Sequence, residues 1–236
     1  MNKDSKPAIY VVGHRGAAAV CPENTLQGFR YAIDLGVDYV ECDVHLTFDN
    51  CLVVMHDANV DRTTNGIGAI RGMTFDTVRA LDAGEGEQVP TLDEVLEITR
   101  DKVHLLCELK GEDTEQATVE TVLAHQMAAQ VTFTSFHTER IKRVKKMDDG
   151  FQIGAIFRNP QEDDIQLAVD LGASGIGANY KLLCFQMVEQ ARDAGLDIRA
   201  WNPDTLPEQQ AMIALGVNGV STNRPDILMG YLQNEK

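Results

Sequence analysis

Two short segments put acids where acids are costly. In Val40-Glu41-Cys42-Asp43-Val44, strand alternation places Glu41 and Asp43 on one face and Val40, Cys42 and Val44 on the other. Leu105-Leu106-Cys107-Glu108-Leu109-Lys110 repeats the pattern, with Leu106, Glu108 and Lys110 sharing a face. Carboxylates set among apolar residues repel one another and need a cation or a proton. Three oxygen ligands without a thiolate suit one hard divalent ion, Mg²⁺ or Ca²⁺, and Mn²⁺ equally; these residues do not choose among them.

His14-Arg15-Gly16 closes one apolar run and His56-Asp57 closes another. Arg15 offers a planar fork for a phosphate or carboxylate. Two strand-end histidines beside a carboxylate metal site suit acid/base cleavage of a phosphodiester. Each histidine alone fits a hydrogen-bonded structural residue equally well. His45, His104, His125 and His137 lack supporting context and read as structural, although His45 shares the face of Glu41 and Asp43.

The elements that must position these groups alternate strand and helix. Strands are expected at 9–13, 39–44, 103–109, 131–135, 152–157, 174–178, 197–201 and 219–222. Helices are expected at 25–35, 92–99, 115–128, 139–146, 163–171, 181–194, 206–215 and 225–232. Eight such units read as a TIM (β/α)₈ barrel, with an open doubly wound sheet as the alternative. Polar and charged residues recur at the C-terminal ends of several strands, where a barrel gathers its site, and this favours the barrel. Gly36, Gly172, Gly195 and Gly216 follow apolar helical runs, as C-terminal glycines do. Residues 45–90, between the second and third strands, are too long for a loop and one helix. They include an extra short strand at 52–55 after an Asp49-Asn50 turn and a Gly-rich stretch, Thr63-Thr64-Asn65-Gly66-Ile67-Gly68. We expect one domain over residues 1–236 with this stretch as a small insertion.

Charge narrows the partners. The chain has 236 residues, 36 acidic and 21 basic side chains, and a formal net charge of −15. That excludes a nucleic-acid footprint and attraction to anionic membranes, but not a small anionic substrate. No apolar run is long enough to insert in a membrane. The N-terminal residues 1–7 show no signal-peptide pattern, and the five cysteines are scattered without a C-x-x-C pair. Both point to a reduced, cytoplasmic protein. Its surface composition fits a monomer or a homodimer.

Several ordered motifs together resemble the glycerophosphodiester phosphodiesterase family. They are His14-Arg15-Gly16, Pro22-Glu23-Asn24-Thr25, Glu41-x-Asp43-Val44, His56-Asp57 and Asp61-Arg62-Thr63-Thr64-Asn65-Gly66. Pro90-Thr91-Leu92, Glu108-Leu109-Lys110, Trp201-Asn202 and the stretch from Gly216 to Pro225 follow in order. The resemblance implies a TIM barrel and divalent-metal-dependent hydrolysis of glycerophosphodiesters, such as glycerophosphocholine and glycerophosphoethanolamine, to sn-glycerol 3-phosphate and an alcohol. It implies metal ligation by Glu41, Asp43 and Glu108, acid/base roles for His14 and His56, phosphate contacts from Arg15 and Lys110, and a pocket wall from Trp201. It further implies attack by the glycerol 2-hydroxyl through a cyclic phosphate. Glu23 and Asn24 match a loop-shaping motif, and the same segment reads locally as a helix N-terminus capped by Asn24 or Thr25. Asn50, Asn202, Asn218 and Asn223 depart from the usual family residues, as does His137 after Ser135-Phe136, and these departures leave the alcohol group open. Two rival functions are a lyase that releases a cyclic phosphate and a non-catalytic phosphodiester-binding barrel.

Overall fold

A computed structural model describes residues 9–234; the segment 1–7 read above for a signal peptide lies outside them. Strands in chain order are β1 (Tyr10–Gly13), β2 (Tyr39–Leu46), β3 (Leu52–Val54), β4 (His104–Leu109), β5 (Val131–Ser135), β6 (Gln152–Phe157), β7 (Gly175–Asn179), β8 (Asp197–Trp201) and β9 (Gly219–Thr222). Helices are α1 (Leu26–Leu35), α2 (Phe75–Arg79), α3 (Leu92–Thr99), α4 (Glu115–Ala124), α5 (Thr138–Met147), α6 (Glu162–Asp170), α7 (Phe185–Asp193), α8 (Leu206–Leu215) and α9 (Pro225–Asn234).

Among the described residues, the strands form one sheet in the order β1-β9-β8-β7-β6-β5-β4-β2-β3, and a β1–β2 pairing closes it. All barrel pairings are parallel, and only β3 runs antiparallel, against β2. The architecture is therefore a TIM barrel. The main apolar core lies between strands and helices: Val40, Cys42 and Val44 of β2 and Leu105, Cys107 and Leu109 of β4 are buried there. That leaves Glu41, Asp43 and Glu108 on the inner face. Register matters, since Asp43 pairs directly with Glu108 across β2 and β4. A slip of one residue would turn both carboxylates into the apolar layer.

Helix ends follow the local chemistry. Thr25, not Asn24, caps α1 by accepting from the Gly28 amide at 3.3 Å. Thr91 and Glu94 form a reciprocal capping box on α3. The glycines at 36, 172, 195 and 216 all have positive φ. Two expected helices differ in extent. The α4 helix stops at Ala124 because Gln126 takes φ 58° and turns the chain, so residues 125–128 do not extend it. The stretch 181–194 divides into a 3₁₀ turn at Tyr180–Leu182 and α7, which begins at Phe185.

The stretch between β3 and α3 has its own small core of Val53, Met55, Val60, Ile70, Val78, Ala83 and Val89. It is anchored by the β2–β3 ladder, in which Val44 pairs with Val54 and Leu46 with Leu52. This ladder carries β2 past the barrel rim and returns the chain at His56. All five cysteines are free. No helix among the described residues is long and apolar enough to cross a membrane.

Candidate active site

The C-terminal ends of the strands open onto a cavity of about 430 Å³, lined among others by His14, Arg15, Glu41, His56, Glu108, Lys110 and Trp201. Asp43 lies beneath them, 1% exposed. All eight residues singled out in the sequence therefore meet at one end of the barrel.

Glu41, Asp43 and Glu108 each offer an oxygen within 4.8 Å of the others. Asp43 is held by Asn24, whose Nδ2 donates to Oδ2 at 3.0 Å. Its other oxygen, Oδ1, is buried and makes no hydrogen bond, with Lys110 Nζ 3.5 Å away. Lys110 Nζ also approaches Glu108 Oε1 at 3.0 Å. Burial, then repulsion by Asp43, pushes Glu108 up to about 7. Burial, Asp43 and Glu108 likewise raise Glu41 well above the carboxylate range. Burial would raise Asp43 too, but Lys110 and Arg15 outweigh it and hold this carboxyl low. One ionised carboxylate thus stands beside two that resist ionisation, with an orphaned oxygen at their centre. This donor set fits a hard divalent cation, which would relieve both the repulsion and the missing partner.

The loop after β1 is built around this acid cluster. Arg15 has φ 49° and Gly16 φ 82°. The Arg15 amide donates to Glu41 Oε2 at 3.0 Å and its carbonyl accepts from the Asn24 amide at 3.0 Å. Those two bonds hold an arginine in a conformation that costs an L-residue of order 1–3 kcal/mol. A Cβ on Gly13 would sit 2.2 Å from the Gly16 carbonyl oxygen, so the loop folds tightly over the strand end only because Gly13 lacks one.

The two histidines have different partners. His14 Nδ1 lies 2.6 Å from Asn223 Oδ1. Asn223 is oriented in turn by Asp204, which accepts from its Nδ2 at 2.7 Å and its amide at 2.8 Å. The oxygen of Asn223 therefore faces the imidazole, the proton sits on Nδ1, and Nε2 carries a lone pair. Burial, then Arg15, lowers His14 to about 4. His56 Nδ1 instead lies 2.6 Å from the Asp57 carboxylate. Burial lowers His56 as well, while Asp43 and Asp57 oppose that shift. Asp57 is bound by Arg62, which donates to Glu23, and Glu23 accepts from Arg15 Nη1 at 2.9 Å. This chain of ion pairs ties the stretch after β3 to the loop after β1.

Sequence reading did not assign Asn223 and Asp204 as partners of His14, nor Glu23 as the link between Arg15 and Arg62. It also missed Phe136, Arg158 and Arg199, which line the far wall of the cavity. The period-2 pattern of β8, with Arg199 and Trp201 on one face, was the available signal for Arg199. His45 is a support, with Nε2 at 3.1 Å from the His56 carbonyl. His104, His125 and His137 do not line the cavity.

Residues 14–227 match the model of the Glycerophosphoryl diester phosphodiesterase family. The glycerophosphodiester phosphodiesterase of Caldanaerobacter subterraneus subsp. tengcongensis is 32% identical, covering 94% of this chain and 97% of that relative. The glycerophosphodiester phosphodiesterase of Bacillus subtilis is 29% identical over 94% of this chain and 86% of its own. Among solved structures, an Oleispira antarctica phosphodiesterase in complex with the product sn-glycerol-3-phosphate superimposes with a TM-score of 0.89 at 25% identity, covering 95% of this chain and 96% of that one. An Agrobacterium tumefaciens glycerophosphodiester phosphodiesterase gives 0.83 at 28% identity, over 94% and 100% of the two chains. With a match that runs from the strand-end His14 to the first turn of α9, the chain belongs to the glycerophosphoryl diester phosphodiesterase family of enzymes.

Proposed function

We propose that this enzyme hydrolyses glycerophosphodiesters to sn-glycerol 3-phosphate and an alcohol, with one divalent cation held by Glu41, Asp43 and Glu108. The observation that carries the reading is the buried, hydrogen-bond-free Oδ1 of Asp43 amid three carboxylates, flanked by two histidines with unlike partners. A bound cation supplies Lewis acidity at a phosphate oxygen. The chain's own residues do the rest. His14, with its proton on Nδ1 facing a neutral amide, presents a free Nε2 lone pair and takes the proton of the attacking glycerol 2-hydroxyl, so that a cyclic phosphate forms as the alcohol leaves. His56 is backed by the Asp57 carboxylate, which favours its imidazolium, and it delivers a proton to the leaving alkoxide; it then takes a proton from the water that opens the cyclic phosphate, while His14 returns its proton to the glycerol 2-oxygen. Arg15 and Lys110 balance charge growing on the equatorial oxygens. Trp201 walls the part of the pocket beyond the phosphate. The protein acts on a small molecule in the cytoplasm, as a monomer or homodimer.

Phosphorus NMR of a turnover mixture tests the reaction. A phosphomonoester signal growing at the expense of the diester is expected. A cyclic phosphate that accumulates and persists would replace hydrolysis by lyase chemistry, and an unchanged diester bound to the protein would leave a binding barrel.

A further inference from the structure

The far wall of the cavity carries positive charge that the reaction as described does not use. Arg199, midway along β8, is 8% exposed, yet among the described residues no carboxylate lies within ion-pair distance of its guanidinium, and its buried Nε has no hydrogen-bond partner. A buried cation without a partner is expensive. The nearest acid along its own strand, Asp197, is raised by burial without relief from Arg199. The guanidinium is given room by Gly177 of β7: a Cβ there would meet Arg199 Nη2 at 3.0 Å and Trp201 Cδ1 at 3.5 Å. Arg199 therefore sits one inward position before Trp201, between the cavity that both residues line and a smaller one in the barrel interior that it shares with Tyr10 and Tyr39.

Its neighbours share the same deficit. The indole Nε1 of Trp201 and Nδ2 of Asn202 are buried and unpartnered, as is Arg199 Nε. All three are donors. On the same wall the exposed Arg158 stacks on Phe136, 5.6 Å from the ring centroid, and Phe136 packs edge-on to Trp201 at 5.7 Å. Among the described residues, the acids lining the cavity are Glu41 and Glu108, on the opposite side. A cationic choline or ethanolamine group would meet two arginines and no acid on this wall. Donors without acceptors call for an anion.

We propose that Arg199, Arg158, Trp201 and Asn202 form a second anion subsite, which selects glycerophosphodiesters whose leaving alcohol itself carries a phosphate or phosphodiester group. This rests on the hydrolytic reading above and narrows its substrate class.

The test compares kcat/KM for bis(glycerophospho)glycerol, glycerophosphoglycerol and glycerophosphocholine, in the wild type and in Arg199→Met and Arg158→Gln. The first two esters differ by one further glycerophosphate unit, whose phosphodiester is the added charge. The expected preference for bis(glycerophospho)glycerol over glycerophosphoglycerol is about tenfold or more, with glycerophosphocholine poorest. Each variant should bring the first ratio towards one, and Arg199→Met should also raise Tm, because it removes an unpaired buried charge. Arg158 is exposed, so Arg158→Gln carries the test even where Arg199→Met folds poorly. Equal kcat/KM for the three esters would overturn the subsite while leaving the hydrolase intact. So would a uniform loss on all three in both variants, which would assign these arginines to the scissile phosphate. Silence on every ester with metal supplied would sink the hydrolytic reading instead. Calorimetric binding of the same esters then decides the subsite alone: tighter bis(glycerophospho)glycerol keeps it and equal affinities end it.

Discussion

Strands β1, β2 and β4 and the residues just after them supply three carboxylates, His14, Arg15 and Lys110, with His56 brought in by β3; strands β6 to β9 supply Ile156, Asn179, Arg199, Trp201 and Ser221, with Arg158 and Asn202 just beyond β6 and β8. In the first half every charged side chain has an oppositely charged or hydrogen-bonding neighbour, although Arg15 Nε, Asn24 Oδ1 and Asp43 Oδ1 keep no hydrogen bond of their own, and the groups correct one another's charge. In the second half Arg199 Nε, Trp201 Nε1 and Asn202 Nδ2 have no partner. A barrel separates these tasks because each strand end contributes independently to one mouth. Dense mutual pairing pre-organises the reacting groups, and donors left open are held ready for a ligand. The first half should therefore govern kcat and the second KM.

Breaking the first half should cost most. His14→Ala and His56→Ala should each lower kcat by about 10²–10⁴-fold with little change in KM, measured by steady-state kinetics. Near-wild-type turnover in either variant would remove that histidine from the chemistry. On the other side, Trp201→Ala should raise KM by about tenfold and change kcat far less, because it removes a wall and the edge-to-face contact with Phe136. A kcat loss as large as that of the histidine variants would erase the distinction between the halves.

Proton linkage gives a smaller effect confined to the first half. Glu108 is pushed from its ordinary 4.5 up to about 7, so the metal-free site retains a proton below neutral pH. A cation needs the carboxylates of both Glu108 and Glu41, which is raised as well, so binding must expel their protons and affinity must rise with pH through about 7. Calorimetry with Mg²⁺ or Ca²⁺ in two buffers of different ionisation enthalpy should show more protons released at pH 6 than at pH 8.5, by about one for Glu108. Equal release at both pH values would contradict this ordering of the carboxyls.

Much of the first half was legible in the sequence, because its groups obey strand periodicity. Glu41, Asp43 and Glu108 interrupt apolar runs at spacing two, and the β2–β4 pairing places them together. Contacts made by barrel closure were not legible. Asn223 reaches His14 only because β9 lies beside β1, and Asp204, after β8, then orients Asn223. Arg199 was hidden for a different reason. An arginine in a strand reads as an outward cation by its type alone, and the period-2 pattern that sets Arg199 on the face of Trp201 is the one signal against that reading. The early end of α4 depended on a non-glycine residue, Gln126, taking positive φ, which composition does not announce.

The most direct test of the account is release of sn-glycerol 3-phosphate from glycerophosphoglycerol and from glycerophosphocholine, read by a coupled dehydrogenase with Mg²⁺, with Ca²⁺ and with EDTA, in the wild type and in Asp43→Asn. We expect release with at least one cation, none with EDTA, restoration when the cation is returned, and a loss in Asp43→Asn of at least about 10²-fold. Undiminished release in EDTA, or a folded Asp43→Asn enzyme with wild-type turnover, would contradict a reaction built around a cation on Glu41, Asp43 and Glu108.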